Sequence, residues 1–187
     1  MAAPSLTNNF LIAMPALSDP FFHHSVVYIC DHSDQGTMGL IINRRTQIML
    51  GELLEHVHMN STIPQADTIP VLFGGPVQKN QGMVLHNTTP TLWAESTVIA
   101  DNIVLTSSTD ILKAISHNEG PENILVALGY ASWQAGQLEQ EIADNSWLTA
   151  PADYDILFNT PSEDRWHKAA SLLGVDITLI SDSTGHA

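Results

Sequence analysis

The chain has 187 residues, of which 44% are hydrophobic and 14% are charged. This length and composition predict a single folded domain with a substantial core, and they exclude an intrinsically disordered protein. Six Lys and Arg residues against twenty Asp and Glu residues give a formal net charge of −14, which argues against direct nucleic-acid binding because neutralised phosphates supply most of its affinity.

Cysteine usage and the apolar segments indicate the compartment. Cys30 is the only cysteine, so an intrachain disulfide is excluded and a reducing compartment is expected. The apolar N-terminal stretch carries no basic side chain and is interrupted by Pro15, which is not the pattern of a signal peptide. No apolar run reaches the roughly 20 residues of a membrane-spanning helix. We therefore expect a cytoplasmic protein without a membrane segment.

Apolar runs bounded by Gly, Pro, Asn or Asp predict a chain rich in short β-strands. The predicted strands cover residues 10–13, 25–30, 38–42, 70–73, 83–86, 97–100, 103–105, 124–128, 154–158 and 176–180. Three of these strands precede the first predicted helix, which does not fit the regular strand and helix alternation of a doubly wound sheet. The order predicts an α+β fold with a large mixed sheet.

The predicted helices are fewer. Residues 50–58 carry leucines at helical spacing, and an S-x-x-D sequence at residues 107–110 starts a helix that runs to about residue 116. A third helix covers residues 134–145, with Ala135, Leu138 and Ile142 facing the core. Thr160 and Glu163 predict a capping box for a last helix that ends near Gly174.

Several sequence blocks resemble a known family. They are FLIAMPALSDPFFHHSVVYICDH with GTMGLIIN (residues 10–43), FGGPV with GMVLH (residues 73–86), and LGYASWQAGQLEQEIADNSWL (residues 128–148). In their order and spacing they are similar to the YqgE/AlgH family of bacterial proteins, and the resemblance covers almost the whole chain. One departure is Ser132, where the family pattern usually has Gly, and it affects only a backbone detail.

The resemblance implies an α+β domain in which a strongly bent mixed sheet forms a pseudo-barrel flanked by helices. It also implies a cytoplasmic bacterial protein, one branch of which has been given a regulatory role, and it implies no reaction. We expect residues 1–187 to form one such domain, with residues 181–187 as a flexible tail.

Few residues in the sequence are candidates for chemistry. Cys30 ends an apolar run, which is typical of a buried small hydrophobe, but His32 two residues later allows a reactive thiol. An Asp and His site within residues 19–24 is a second enzymatic hypothesis. His56 and His58 point to different sides of a predicted helix, so we expect no metal and no cofactor.

Two arginines and two glycines are candidate binding residues. Arg44 and Arg45 follow a predicted strand, where they either hold an anion or form a solvated turn. Gly74 and Gly75 follow another strand, where they either form a structural turn or let the backbone approach a ligand.

The sequence around Trp133 is the preferred binding site. A strand, a tight turn and a helix start meet there, and such junctions form pockets. We predict that Trp133, Gly136, Gln137 and Glu139, together with the Gly75 turn, bind a ligand or a protein partner. The preferred function is a noncatalytic regulatory or binding module. One alternative is an enzyme of unassigned reaction. A direct DNA-binding regulator is a further alternative that the negative net charge disfavours. The oligomeric state is left open.

Overall fold

The structure, a computed structural model, describes residues 4–180, so the predicted tail at residues 181–187 lies outside the described residues. Two compact units divide the chain. Unit 1 contains residues up to 43 and from 131 onwards, and unit 2 contains residues 44–130. The prediction of a single domain stays a prediction. None of the helices described is long and apolar enough to cross a membrane.

Ten strands lie within the described residues. They are β1 (Asn9–Ala13), β2 (Val26–Ser33), β3 (Gly36–Ile41), β4 (Arg45–Met49), β5 (Pro70–Phe73), β6 (Val77–His86), β7 (Ser96–Ala100), β8 (Ile103–Thr106), β9 (Ile124–Gln134) and β10 (Trp147–Pro151).

The α-helices are short. Between residues 4 and 180 they are α1 (Leu50–His56), α2 (Asp110–Ser116), α3 (Gln137–Ala143), α4 (Tyr154–Phe158), α5 (Arg165–Ser171) and α6 (Ile177–Ile180). Two 3-10 turns, Pro64–Asp67 and Ser162–Asp164, complete the regular elements.

Unit 1 is built on an antiparallel sheet. Its strand order is β10-β1-β2-β3, followed by the last residues of β9, which pair with β3 from Gly36↔Gln134 to Gly39↔Ala131. Every side chain of β1 from Phe10 to Ala13 is buried, as expected for a strand with paired neighbours on both edges. Helix α5 contacts β1, and the Trp166 Nε1–H group donates to the Ala13 carbonyl oxygen at 2.9 Å.

Unit 2 has a mixed sheet. The first residues of β9 pair in parallel with β5 and antiparallel with β6, and β8 and β7 follow β6. Strand β4 pairs with β5. Helices α1 and α2 cover one side of this unit through an apolar cluster. The buried members of the cluster are Leu50, Leu53, Leu54, Val71, Val84, Ile111, Leu112, Ile115 and Val126.

The expected α+β fold class with a mixed sheet and helices is confirmed. The amphipathic helix at residues 50–58 is confirmed as α1, with its leucines buried. Predicted strand 124–128 continues as β9 through Gly129 and Tyr130 to Gln134. The sequence analysis missed β4 and β10.

Two predicted strands are wrong. Residues 154–158 form helix α4, because the Asp153 carboxylate accepts the Ile156 backbone N–H at 3.0 Å and caps its first turn. Residues 176–180 contain helix α6 (Ile177–Ile180), and Asp176 accepts the Thr178 N–H at 3.0 Å. In both segments an Asp at the N-terminal end satisfies backbone donors and favours a helix over an apolar strand.

The predicted capping box at residues 160–163 is also wrong. The Thr160 hydroxyl donates to the Asp155 carbonyl oxygen at 3.0 Å, and Ser162–Asp164 form a 3-10 turn before α5 begins at Arg165. Arg165 is buried, and its guanidinium donates to the backbone carbonyl oxygens of Ile42, Ile156 and Leu157. An arginine that bonds the backbone of two distant segments has no periodic signature in the sequence.

Gly129 holds a close backbone approach within unit 2. Its φ is +75°, and a Cβ atom there would meet the carbonyl oxygens of Gly75 and Val77. The ladder between β6 and β9 shifts register between Val77 and Gly82, directly opposite this residue. Only glycine satisfies both the left-handed backbone and the space available.

We expect Gly129→Ala to destabilise the protein by roughly 2–4 kcal/mol, because it combines backbone strain with a clash against a carbonyl oxygen. Gly82→Ala is the matched control, since a Cβ at Gly82 meets nothing within 4 Å. Urea unfolding measures both free energies of unfolding. Equal stability of the two variants would contradict the close approach.

Candidate functional site

The predicted site residues are divided between the two units. Cys30, His32, Trp133, Gly136, Gln137 and Glu139 belong to unit 1, and Arg44, Arg45, Gly74 and Gly75 belong to unit 2. The continuation of β9 to Gln134 replaces the turn that was expected before Trp133.

Two tryptophans of unit 1 share one carboxylate. The indole N–H groups of Trp133 and Trp147 both donate to Glu141 Oε2, at 3.0 and 2.9 Å. Both rings are buried, and their centroids lie 6.0 Å apart in an edge-to-face arrangement. The ring of Phe22 packs against both indoles, with centroid distances of 5.7 Å to Trp133 and 5.6 Å to Trp147. Glu141 therefore satisfies two buried donors that would otherwise destabilise the aromatic cluster.

Gln137 completes the same hydrogen-bond system. Its Nε2 donates to Glu141 Oε1 at 3.0 Å, and its Oε1 accepts the Gln134 backbone N–H at 3.0 Å. Gly136 has a φ of +77° and forms the turn into α3. The polar atoms of Trp133 and Gln137 thus bond within unit 1, and a groove lined by them remains a prediction.

His32 links the N-terminal segment to α3. Its Nδ1 accepts the Leu6 backbone N–H at 2.9 Å, so Nε2 carries the hydrogen and donates to Glu139 Oε1 at 2.7 Å. The His32 side chain is 5% exposed and that of Glu139 is 42% exposed. The hydrogen bond from His32 lowers the pKa of Glu139, which keeps the carboxylate ionised.

The environment of Cys30 is that of a buried hydrophobe. The side chain is 4% exposed, and its thiol lies 3.7 Å from the Tyr28 carbonyl oxygen. Burial raises the pKa of the Cys30 thiol, and the charge of Asp31 raises it further. Both ring nitrogens of His32 already bond to Leu6 and Glu139. A reactive thiolate needs exposure and a lowered pKa, so the geometry favours the structural alternative.

The Asp and His segment at residues 19–24 is a structured turn. Asp19 Oδ1 accepts the backbone N–H groups of Phe21 and Phe22, and His23 Nδ1 donates to the Leu17 carbonyl oxygen at 3.0 Å. The His24 ring stacks on Trp166 at 4.0 Å. No group of three or more His, Cys, Asp or Glu side chains placed to hold a metal occurs within residues 4–180.

In unit 2 the predicted glycines lie in the connection between β5 and β6. The Gly74 N–H donates to the Leu128 carbonyl oxygen at 2.8 Å, and both Gly74 and Gly75 are buried. The Arg44 carbonyl oxygen accepts the Phe73 N–H at 2.7 Å, and Arg45 opens β4 opposite Leu72. These contacts are structural, and an anion site at the arginines stays a prediction.

A cavity in unit 2, which we name the α1–α2 cavity, was missed from the sequence. Its volume is about 180 Å³. It is lined by Leu53, Val57, Asn80, Gln81, Gly82, Val84, Thr106, Ser107, Ser108, Thr109, Leu112 and Leu128. The lining comes from α1, β6, β8, β9 and the start of α2, so residues far apart in sequence form it. The set includes apolar, hydroxyl and amide side chains and no ionisable one.

A buried hydrogen-bond chain leads away from Thr106. His86 Nδ1 donates to the Asn87 carbonyl oxygen, so His86 Nε2 accepts the Thr106 hydroxyl, both at 2.8 Å. Thr106 Oγ1 accepts from Ser96 at 2.7 Å, and Ser96 Oγ accepts the Trp93 N–H. Burial lowers the pKa of His86, although the bond to Asn87 opposes this. The neutral imidazole is therefore a fixed structural acceptor.

These features define an α+β protein in which His32, Glu139 and Glu141 are used in internal hydrogen bonds and the α1–α2 cavity has a neutral lining. The chain belongs to the AlgH-like family, whose model matches residues 10–178. The resemblance seen in the sequence is thereby confirmed.

Known relatives match over nearly their full lengths. A UPF0301 protein of Thioalkalivibrio sulfidiphilus is 54% identical over 186 residues, covering 100% of this chain and 99% of the relative. The UPF0301 protein YqgE of Escherichia coli is 50% identical over 188 residues, covering 98% and 100%. Neither name states an activity.

Two solved structures share the fold. The solution structure of AlgH from Pseudomonas aeruginosa matches with a TM-score of 0.80 and 42% identity, covering 100% of this chain and 99% of that one. A crystal structure of a Corynebacterium diphtheriae protein matches with a TM-score of 0.74 over 96% and 93% of the chains. At 24% identity, the second match shows the fold alone.

Glu141→Gln should destabilise the protein by roughly 1–3 kcal/mol. Both carboxylate oxygens of Glu141 accept hydrogen bonds, whereas an amide has only one acceptor oxygen, and its NH₂ group would face a donor that no longer has an acceptor. Glu139→Gln is the matched control on the same helix. It keeps an acceptor for His32 at an exposed position, and we expect a loss below about 1 kcal/mol. Urea unfolding followed by tryptophan fluorescence measures both. A larger loss for Glu139→Gln would contradict the shared-carboxylate arrangement.

His86 makes stability depend on pH. Its folded pKa lies below the unfolded value of 6.5, so its stabilisation is complete above pH 6.5 and is lost as pH falls towards the folded pKa. The loss is at most about 1.4 kcal/mol per pH unit. Against His86→Gln, wild-type stability should therefore decline between pH 7.5 and 5.5 in urea titrations. Exposed His56→Gln serves as the control, and a difference between wild type and His86→Gln that stays constant with pH would refute the buried neutral imidazole.

Proposed function

We propose that this protein is a noncatalytic regulatory module that binds a small ligand or a protein partner in the cytoplasm. Any influence on transcription is then indirect, because a net charge of −14 opposes direct contact with nucleic acid. Membership of the AlgH-like family is compatible with this function.

The observation that carries the proposal is the lining of the α1–α2 cavity. It combines an apolar floor with hydroxyl and amide groups, the composition typical of small-molecule sites. General acid–base and nucleophilic catalysis require titratable or activated side chains at the reacting atoms. No lining residue is titratable, which favours binding over reaction.

The hydroxyl group of Ser108 in the cavity is not activated. Ser107 donates to Glu95 Oε2 at 3.0 Å, and Ser108 donates to Asp110. Desolvation raises the pKa of Asp110, but hydrogen bonds from Ser108 and from the Ala94 and Ile111 N–H groups lower it overall. A carboxylate with a lowered pKa is a poor general base, so Ser108 has no partner suited to remove its proton.

A metabolite-extract experiment tests the proposal. Untagged protein is incubated with a bacterial small-molecule extract and measured by native mass spectrometry, and the bound compound is released by denaturation and identified. We expect a discrete complex whose released ligand is chemically identical to a component of the extract. Gly82→Val, which fills part of the cavity, should lose that complex.

Catalysis would give a different result. If the protein depletes an extract component in excess of its own concentration and a product mass appears, the module is an enzyme and the proposal fails. A Cys30→Ser, His32→Gln variant then separates the alternatives, because turnover that survives it cannot use that pair.

A further inference from the structure

We propose that the α1–α2 cavity takes a single-ring ligand that has no negative charge and carries a carboxamide or a similar group with both a donor and an acceptor. This inference rests on the proposed function, since it names the ligand class of the same cavity. Size, charge and hydrogen-bonding capacity of the lining each restrict the ligand independently.

The volume limits the ligand to about one ring. The cavity measures about 180 Å³, whereas a protein cavity of about 150 Å³ holds benzene. The space above that size admits a small substituent, whereas a fused tricycle or a nucleotide would extend out of the cavity. The floor is formed by Leu53, Leu112 and Leu128, whose surfaces suit an apolar ring face.

The lining disfavours an anionic ligand. None of its side chains carries a formal charge, and an ion transferred from water without a counter-charge costs several kcal/mol. Glu95 and Asp110, which accept from Ser107 and Ser108, add negative potential nearby. An anionic ligand is therefore disfavoured twice.

The polar groups at the cavity offer both donors and acceptors. Gln81 Nε2 donates to the carbonyl oxygens of Gly82 and Ser107, each at 3.2 Å, which fixes the amide and leaves Oε1 as an acceptor. Among the residues described, the Asn80 amide and the Thr109 hydroxyl have no intramolecular side-chain hydrogen bond. A ligand with a single carboxamide can donate to Gln81 Oε1 and accept from Asn80 or Thr109.

Gly82 leaves the space for the ligand. A Cβ built at this residue meets no heavy atom within 4 Å, and Gly82 lies on the same face of β6 as Val84, two residues away. A side chain at Gly82 therefore projects into the cavity and displaces a ligand without a clash against the protein.

Benzamide and benzoate provide a matched pair of probes, because they share shape and differ in charge. Their binding to the full chain is measured by titration of ¹⁵N-labelled protein, observed through amide signals. We expect benzamide to shift the signals of residues 80–84 and 107–112. Benzoate should bind at least about tenfold more weakly, the equivalent of 1.4 kcal/mol.

Cavity variants localise the binding. Gly82→Ala and Gly82→Val should weaken benzamide binding progressively, with at least about a tenfold loss for Val. Thr109→Val should weaken it about fivefold through one lost hydrogen bond. Thr97→Val, the same change on exposed strand β7, is the control and should leave affinity unchanged. Melting temperatures confirm that each variant is folded.

Three results would overturn the inference. They are equal binding of benzoate, unchanged benzamide affinity in folded Gly82→Val, and no benzamide binding at millimolar concentration. If any of these occurs while the extract experiment still yields an unmodified ligand, only the ligand class or its location is wrong. If the extract experiment shows turnover, the proposed function itself fails.

Discussion

The structure depends on the hydrogen bonding of one strand, β9. Its first residues pair with β5 and β6 in unit 2, and its last residues pair with β3 in unit 1. Gly129 lies within the first set of pairs, between Leu128 and Tyr130, where its positive φ and the nearby Gly75 carbonyl oxygen leave no room for a side chain. A glycine within a strand normally weakens it, and here it permits the close approach of the Gly75 carbonyl oxygen within unit 2.

Downstream of Gly129 the polar side chains stabilise the fold. Glu141 accepts from two buried indoles, and Glu139 accepts from His32, whose other nitrogen holds the N-terminal segment at Leu6. Such residues look functional in a sequence, because carboxylates and imidazoles are also the groups of catalysis. Their contacts here satisfy buried donors, and this leaves the neutral α1–α2 cavity as the best supported binding site.

Local patterns predicted much of the fold and little of the site. The leucine spacing of α1 predicted its helix correctly, because one buried face sets the period. The continuous apolar run of β1 predicted its strand correctly, because both faces of the strand are buried. Residues 154–158 were wrongly predicted as a strand, because a short apolar run is compatible with either a strand or a helix. The N-terminal cap supplied by Asp153 makes this segment a helix. The cavity could not be predicted, because α1, α2 and three strands meet there only through long-range pairing.

The central claim is that the reactive-type side chains of unit 1 have structural roles, and the buried Cys30 tests it most directly. The rate at which iodoacetamide alkylates Cys30 is measured by intact-mass spectrometry. The rate in the native protein is compared with the rate in the urea-denatured chain. Burial and a raised pKa predict that native labelling is at least about a hundredfold slower, since it requires local opening. Labelling of the native protein as fast as the denatured chain would contradict the claim and restore Cys30 as a candidate nucleophile.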